Sequence, residues 1–205
     1  MDQAVKPARD STKIVILDAA KQVLLAEGYS GLSTRAIAAA ADTQMSQIRY
    51  HFGSKEGMVL ALYEYMTEQL IERQTKLFTD PEIRLSQKWD IACDYLDKDI
   101  ESGYVRVLQE LIAVGWSNPQ IGQAVISGLA LWRKLHIDLA REFRENRGSL
   151  GPFEPEDIAA LVGPIFIGVE AYLLLGCEEP NLPLRRALRR LGHVIRHFEE
   201  QSGET

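Results

Sequence analysis

The chain has 205 residues, enough for one large domain or for a small domain fused to a larger one. A hydrophobic fraction of 46% and a charged fraction of 25% are ordinary for a soluble globular protein, and the longest apolar stretch, 158–175, is broken by Gly163-Pro164 and by Glu170, which argues against a membrane span. The net charge of −6 divides into +1 over residues 1–56, where seven Lys/Arg meet six Asp/Glu, and −7 over the remainder.

Helical periodicity and Pro/Gly punctuation predict an almost wholly helical chain. The first dozen residues carry charges and no apolar leader segment. A first helix starts at Ser11 or Thr12, carries Ile14, Leu17 and Leu24 on one face, and stops at Gly28. Ser33 caps a short second helix with Ile37 and Ala40 facing inward. Asp42-Thr43 makes a turn, and a third helix follows over 44–52. Ser54 caps a long fourth helix in which Met58, Ala61, Leu62, Tyr65, Met66 and Leu70 recur every three or four residues, ending near Phe78. Further helices are expected over 81–101, 104–115, 119–146, 156–176 and from Pro183 to about Glu200, with about nine in all. Sustained strand alternation and internal repeats are absent, and about ten residues at the start and five at the end are expected to lack order. Cys93 and Cys177 show no paired spacing and read as buried, inert thiols of a reducing cytoplasm.

The stretch from Ser33 to Lys55 holds the sharpest signal. Ile37, Ala41, Ile48 and Phe52 supply apolar contacts that would lock two short helices against the first. Gln44, Met45, Ser46, Gln47 and Arg49 fall on the opposite face, where nothing demands burial. Gln and Arg can make bidentate hydrogen bonds to adenine and guanine edges, the chemistry of base readout in a major groove. Tyr50, His51 and Lys55 can donate to phosphate oxygens. Lys55 lies in the first turn of a helix, where a cation opposes the dipole, so a phosphate partner would account for its position. The charge reversal along the chain suits a small DNA-contacting head on an acidic body.

Over residues 14–62 the sequence closely resembles the N-terminal domain of the TetR family of bacterial transcriptional regulators. The resemblance is carried by Ala19-Ala20, Gly28-Tyr29, Ser33-Thr34-Arg35-x-Ile37-Ala38 and Ile48-x-Tyr50-His51-Phe52-x-Ser54-Lys55-Glu56. It implies that Met45, Ser46, Gln47 and Arg49 read bases, with Arg35 reaching a guanine from the second helix. It also implies that Thr34, Tyr50, His51 and Lys55 hold the DNA backbone. Three positions depart from the family pattern. Asp42 and Thr43 stand where Gly and Val are usual, and Asp tolerates the left-handed conformation. Gln44 replaces a common Ser cap. Arg49 replaces a frequent Tyr.

In the body, Leu184, Ala187, Leu188, Leu191, Val194, Ile195 and Phe198 give the last helix a broad apolar face. The helix before it is apolar nearly all round, so it needs two partners, one of which can lie in a second copy of the chain. The resemblance implies a homodimer on a four-helix interface, here with Ile165, Val169, Leu184, Leu188, Leu191, Ile195 and Phe198. Its symmetry would set two recognition helices ~34–36 Å apart on a near-palindromic operator. The middle helices are expected to enclose a ligand cavity from among Trp89, Tyr95, Trp116, Trp132, His136, Phe143, Phe166 and Tyr172, ordinary core packing being the alternative for each. Glu170, alone in an apolar helix, needs a hydrogen-bond partner, a cation or a proton, whether across the interface or from a ligand. His193 and His197 have the spacing of a metal pair but lack further ligands, and Arg185-Arg186-Arg189-Arg190 reads as a helix face pairing with acidic neighbours.

The expected fold is all-α: a helix-turn-helix DNA-binding domain over 1–54, with a short N-terminal arm, and a helical ligand-binding and dimerisation domain over 55–205. The expected function is a cytoplasmic repressor of transcription, released from DNA by a small molecule, with no catalytic residue, cofactor or metal and no membrane partner. An activator or a ligand-independent regulator of the same fold is the alternative, ahead of a helical interaction module or an enzyme, for which no phosphate loop, zinc cluster or nucleophile elbow is visible.

Overall fold

The computed structural model describes residues 11–147, 150–177 and 180–201, and among these the chain forms nine helices and no strand. They are α1 Ser11–Gly31, α2 Thr34–Ala40, α3 Met45–Phe52, α4 Lys55–Phe78, α5 Leu85–Glu101, α6 Tyr104–Gly115, α7 Pro119–Arg147, α8 Pro155–Leu174 and α9 Leu184–Gln201. The chain ends expected to lack order, and the N-terminal arm, lie outside the described residues.

Local signals set the helix ends of the head. Gly28, at φ 70 and ψ 179, interrupts α1 where the sequence places its stop. The Ser33 hydroxyl accepts from the Ala36 N–H at 3.1 Å and the Ser54 hydroxyl from the Gly57 N–H at 3.0 Å, each cap contributing about 1 kcal/mol. Asp42 turns the chain between α2 and α3 in the left-handed region, at φ 46. Gln44 makes no side-chain cap bond to α3. Ala40, expected to face inward, is exposed; Ala38 is the buried small residue beside Ile37.

The helix expected from 81 begins instead at Leu85. The Asp80 carboxylate accepts from the Glu82 N–H at 2.9 Å and holds 81–84 in a turn, and the Gln87 side chain caps the Arg84 N–H at 3.1 Å. An Asp before a Pro competes in this way with helix initiation.

Two cores organise the packing. The first joins α1, α2, α3 and α4 to α6 and α7 without a break: Leu24, Ile37, Ile48, Met58, Leu62, Leu111 and Ile121 are all fully buried in it. The second is smaller and joins α5, α8 and α9 through Cys93, Leu96, Phe166 and Leu188. Along the α5–α9 seam Arg185, Arg189 and Arg196 pair with Asp97, Asp94 and Asp90. The Trp89 N–H donates to the Leu188 carbonyl at 2.8 Å, and the Ser86 N–H and hydroxyl donate to buried Glu199 at 3.2 and 2.6 Å. Two members of the basic run of α9, Arg185 and Arg189, therefore face an acidic row of α5. Cys93 is buried, with burial pushing its thiol up to about 11, and Cys177 is half-buried; both are free thiols.

Candidate functional site

The head presents α3 on an apolar anchor. Ile48 is fully buried, with Ala41 and Phe52 packed partly against the same core. With Ile48 pointing inward, Met45, Ser46, Gln47 and Arg49 stand exposed on the outer side, beside exposed Arg35 of α2. Met45 is 50% exposed and Tyr50 82% exposed, unusual for large apolar bodies with no partner on hand. Tyr50 meets His51 edge-on, with ring centroids 5.0 Å apart. Thr34 and His51 are half-buried at the rim of the same surface.

Lys55 has an internal partner that sequence reasoning missed. Its Nζ donates to the Tyr29 carbonyl at 2.9 Å and lies 4.3 Å from the centre of the Tyr29 ring. These contacts account for a cation at the start of α4 without a phosphate, although an ammonium has three donors. Tyr29 is tied to the body as well, since its N–H donates to Glu110 of α6 at 3.4 Å. Glu110 also accepts from Arg106 at 2.8 Å.

Within the body lies a cavity of about 400 Å³ walled by α4 to α9. Trp89, Trp132, His136, Phe166 and Glu170, named from the sequence, all line it, as does Phe143. Trp132 is its aromatic centre, edge-on to His136 at 4.6 Å and to Phe166 at 5.8 Å. Trp116 does not belong to it. That side chain is 84% exposed, because it sits just past the end of α6, on the cap, after the helix has turned its apolar face away. Tyr95 lies beneath the Arg73 guanidinium at 4.2 Å, and Tyr172 points outward from α8.

Sequence reasoning missed Thr67, Gln74 and Asp99, which also line the cavity. A signal was present in α4: Met66, Leu70, Gln74 and Phe78 follow one another every four residues, so Gln74 interrupts an apolar stripe. Asp99 accepts two hydrogen bonds from Arg73, at 2.9 and 2.6 Å. Burial still raises its carboxyl above the usual range.

Five buried polar atoms of the cavity residues have no hydrogen-bond partner within the described residues: Thr67 Oγ1, Gln74 Oε1, Trp132 Nε1, His136 Nδ1 and Glu170 Oε2. Leaving such groups unmatched costs about 1–3 kcal/mol each. Burial, with nearby Asp99 adding to it, pushes the Glu170 carboxyl up to about 8. Burial alone lowers His136 to about 4, so its imidazole is neutral at physiological pH. Glu170 therefore faces the interior of its own chain.

The outer side of the body is apolar. Leu161, Ile165 and Tyr172 of α8 and Leu191, Val194 and Phe198 of α9 are all exposed. Among the residues named for an interface, Ile165, Leu191 and Phe198 lie on this surface, while Val169, Leu184 and Ile195 are half-buried. Leu188 is a correction: it is buried in its own chain's second core, because the broad apolar face of α9 is shared between α5 and the outside. Helix α8 is long and apolar enough, by length and composition alone, to cross a membrane, a property it shares with core helices of soluble proteins. It carries Pro164 in its middle, and Glu170 turns into the cavity. His193 and His197 are exposed on α9, and among the described residues no three His, Cys, Asp or Glu side chains converge on a metal position.

Residues 16–62 match the family model described as bacterial regulatory proteins, tetR family. A search of curated proteins gives no match. Among solved structures, the transcriptional regulator FadR from Bacillus subtilis, in complex with stearoyl-CoA, superposes with a TM-score of 0.74 at 16% identity, over 87% of this chain and 96% of that one. The fatty acid degradation regulator FadR from Bacillus halodurans gives 0.73 at 16% identity, over 90% and 96%. A TetR transcription regulator from Haloarcula marismortui gives 0.74 at 14% identity, over 90% and 95%. At these identities the likeness is one of fold.

Proposed function

We propose that this chain, whose residues 16–62 match the family model of the TetR bacterial regulatory proteins, is a repressor that binds a near-palindromic operator as a homodimer and is released by a small-molecule ligand. Residues 1–54 would form the DNA-binding part and 55–205 the ligand-binding and dimerising part, acting in the cytoplasm. The observation that carries this reading is the exposed row Met45, Ser46, Gln47 and Arg49, held on buried Ile48 and joined through one core to helices that wall a cavity. A surface of that kind serves contact with a partner rather than stability.

In this reading Gln47 and Arg49 read base edges, helped by Met45, Ser46 and Arg35. Thr34, Tyr50, His51 and a remaining donor of Lys55 grip phosphates. A ligand in the cavity touches α4 through Thr67 and Gln74 and α6 through Tyr104. Both helices reach the head, α4 at Lys55 and α6 at Glu110. A shift of either changes how the head sits, and two heads on a symmetric dimer then lose their match to successive major grooves. The ligand shifts this equilibrium only by its differential affinity for the two arrangements. That a regulator of this fold, the Bacillus subtilis FadR, forms a complex with stearoyl-CoA supports a ligand-responsive reading.

The test is a gel-shift titration on sites selected from genomic DNA. Arg49→Ala and Tyr50→Ala should each weaken binding by about tenfold or more, the loss of a base or phosphate contact being about 1–3 kcal/mol, with unchanged thermal stability because both side chains are exposed. Unchanged affinity in both variants would sink the DNA-reading role.

A further inference from the structure

We infer that the cavity takes a lipophilic ammonium, its charged head against Glu170 and its apolar body among the rings of Trp89, Trp132 and Phe166. The inference rests on reading the cavity as the effector site, and concerns the chemistry of what enters it.

Glu170 is 8% exposed, and its Oε2 has no hydrogen-bond partner among the described residues. A buried acceptor in that state is matched by a donor from outside the chain. The charge balance around it narrows the donor. Asp99 also lines the cavity and is already neutralised by Arg73 at 2.6 Å. None of the described lining residues is Lys or Arg. His136, neutral because burial holds it near 4, supplies no cation either. An anionic head would therefore find no free cation among the described lining residues, and would lie against Glu170, whose ionised form repels it. A cationic head meets Glu170, finds in Gln74 Oε1 a second unmatched acceptor, and lies among aromatic faces whose quadrupoles attract positive charge. The Trp132 N–H is a neutral donor suited to an oxygen on the ligand's body, and does not reverse that balance.

The proton completes the account. Burial and Asp99 push the Glu170 carboxyl up to about 8, so at neutral pH the empty cavity holds Glu170 largely protonated. The titratable groups lining the cavity with it are Asp99 of α5, Tyr104 of α6 and His136 of α7. An ammonium head takes the place of the Glu170 proton, which leaves to solvent as the ion pair forms, so binding is accompanied by proton release.

The test is calorimetric titration of the full-length protein, without DNA, with three probes of equal chain length kept below their aggregation limits: decylammonium, 1-decanol and decanoate. Decylammonium should bind tightest and decanoate weakest, with about tenfold or more between them. Glu170→Gln, close to isosteric with the protonated acid, should weaken decylammonium by about tenfold while changing 1-decanol by less than about threefold. The heat of decylammonium binding should vary with the ionisation enthalpy of the buffer, as proton release requires. Decanoate binding as tightly as decylammonium, or no binding of any probe, overturns the inference, and so does a Glu170→Gln protein that keeps the wild-type preference. If Glu170→Gln fails to fold by circular dichroism, the order of the three probes on the wild-type protein decides alone. Operator release is measured separately by fluorescence anisotropy. Selective binding of decylammonium that leaves the operator complex intact keeps the ligand class and rejects release by ligand.

Discussion

Two side chains in the cavity wall set opposite limits on the pH at which the fold is most stable. His136 is held near 4 by burial, below its ordinary value of 6.5. It therefore contributes stability that is present above pH 6.5 and is lost as pH falls toward 4. Glu170 is the reverse case, raised from 4.5 to about 8. The folded chain binds that proton more tightly than the unfolded one, so stability from this group is fully present below 4.5 and declines as pH rises through 8. The melting temperature should thus fall between pH 6.5 and 8.5, where His136 no longer titrates, and Glu170→Gln should flatten that decline. Thermal melts followed by circular dichroism check this; a wild-type curve flat over the same range would mean that Glu170 has a partner in solution. Neither shift can be read from the sequence. A lone Glu in an apolar helix advertises a conflict, but whether a cation, a proton or a second chain resolves it depends on which way the helix faces.

At the scale of elements, α6 and α7 meet backbone to backbone at a pair of glycines. A Cβ on Gly122 would lie 2.8 Å from the carbonyl oxygen of Gly115, and one on Gly115 would lie 2.9 Å from the Cα of Gly122. Both obstacles are backbone, so neither can swing away. Gly122→Ala should cost about 1–3 kcal/mol as the helices move apart, measured as a lower denaturation midpoint in urea; an unchanged midpoint would show that the α6–α7 contact yields freely. The helix ends are largely legible because their causes are local: Gly28, Ser33 and Ser54 act on the backbone beside them. The start of α5 was missed where two local signals compete, Pro81 as a first helical residue against the Asp80 turn. Assignments that depend on the neighbour of a helix face were the weaker ones. Leu188 and Leu191 lie on the same apolar face of α9, yet one is buried in the core with α5 and the other is partly exposed at the cavity. Trp116 was drawn into the cavity by its size alone. Gln74 and Asp99 were passed over because a polar residue on a surface helix looks ordinary until a second helix covers it.

For the whole molecule, the outward stripe of α8 is the feature that one copy of the chain leaves unresolved. Leu161, Ile165, Gly168 and Tyr172 recur every three or four residues, all exposed, while the exposed Leu191, Val194 and Phe198 of α9 also line the cavity. Monomers rarely expose a contiguous apolar area of this kind, and a two-fold pairing would bury the same stripe twice. Under the proposed dimer, Ile165→Glu should yield monomers in analytical ultracentrifugation without loss of helical content. Operator affinity should fall by about a hundredfold, because a single head forgoes the effective concentration that linkage supplies. A variant that stays dimeric would place the interface elsewhere.

The unbroken core beneath the head has a practical consequence for anyone exchanging parts between proteins of this architecture. A cut after Ser54 follows the visible boundary between readout and body, but it divides a set of buried contacts in which Ile16, Leu24 and Ile37 share neighbours with Met58, Leu62 and Leu111. A transplanted head would have to carry the first turns of α4 and meet a compatible surface on the recipient's α6, including a carboxylate able to receive the Tyr29 N–H. In this protein the head and the body are written in one packing pattern. Under the proposed DNA-reading role, changing the site by replacing exposed residues of α3 is therefore a far smaller intervention than replacing the whole head.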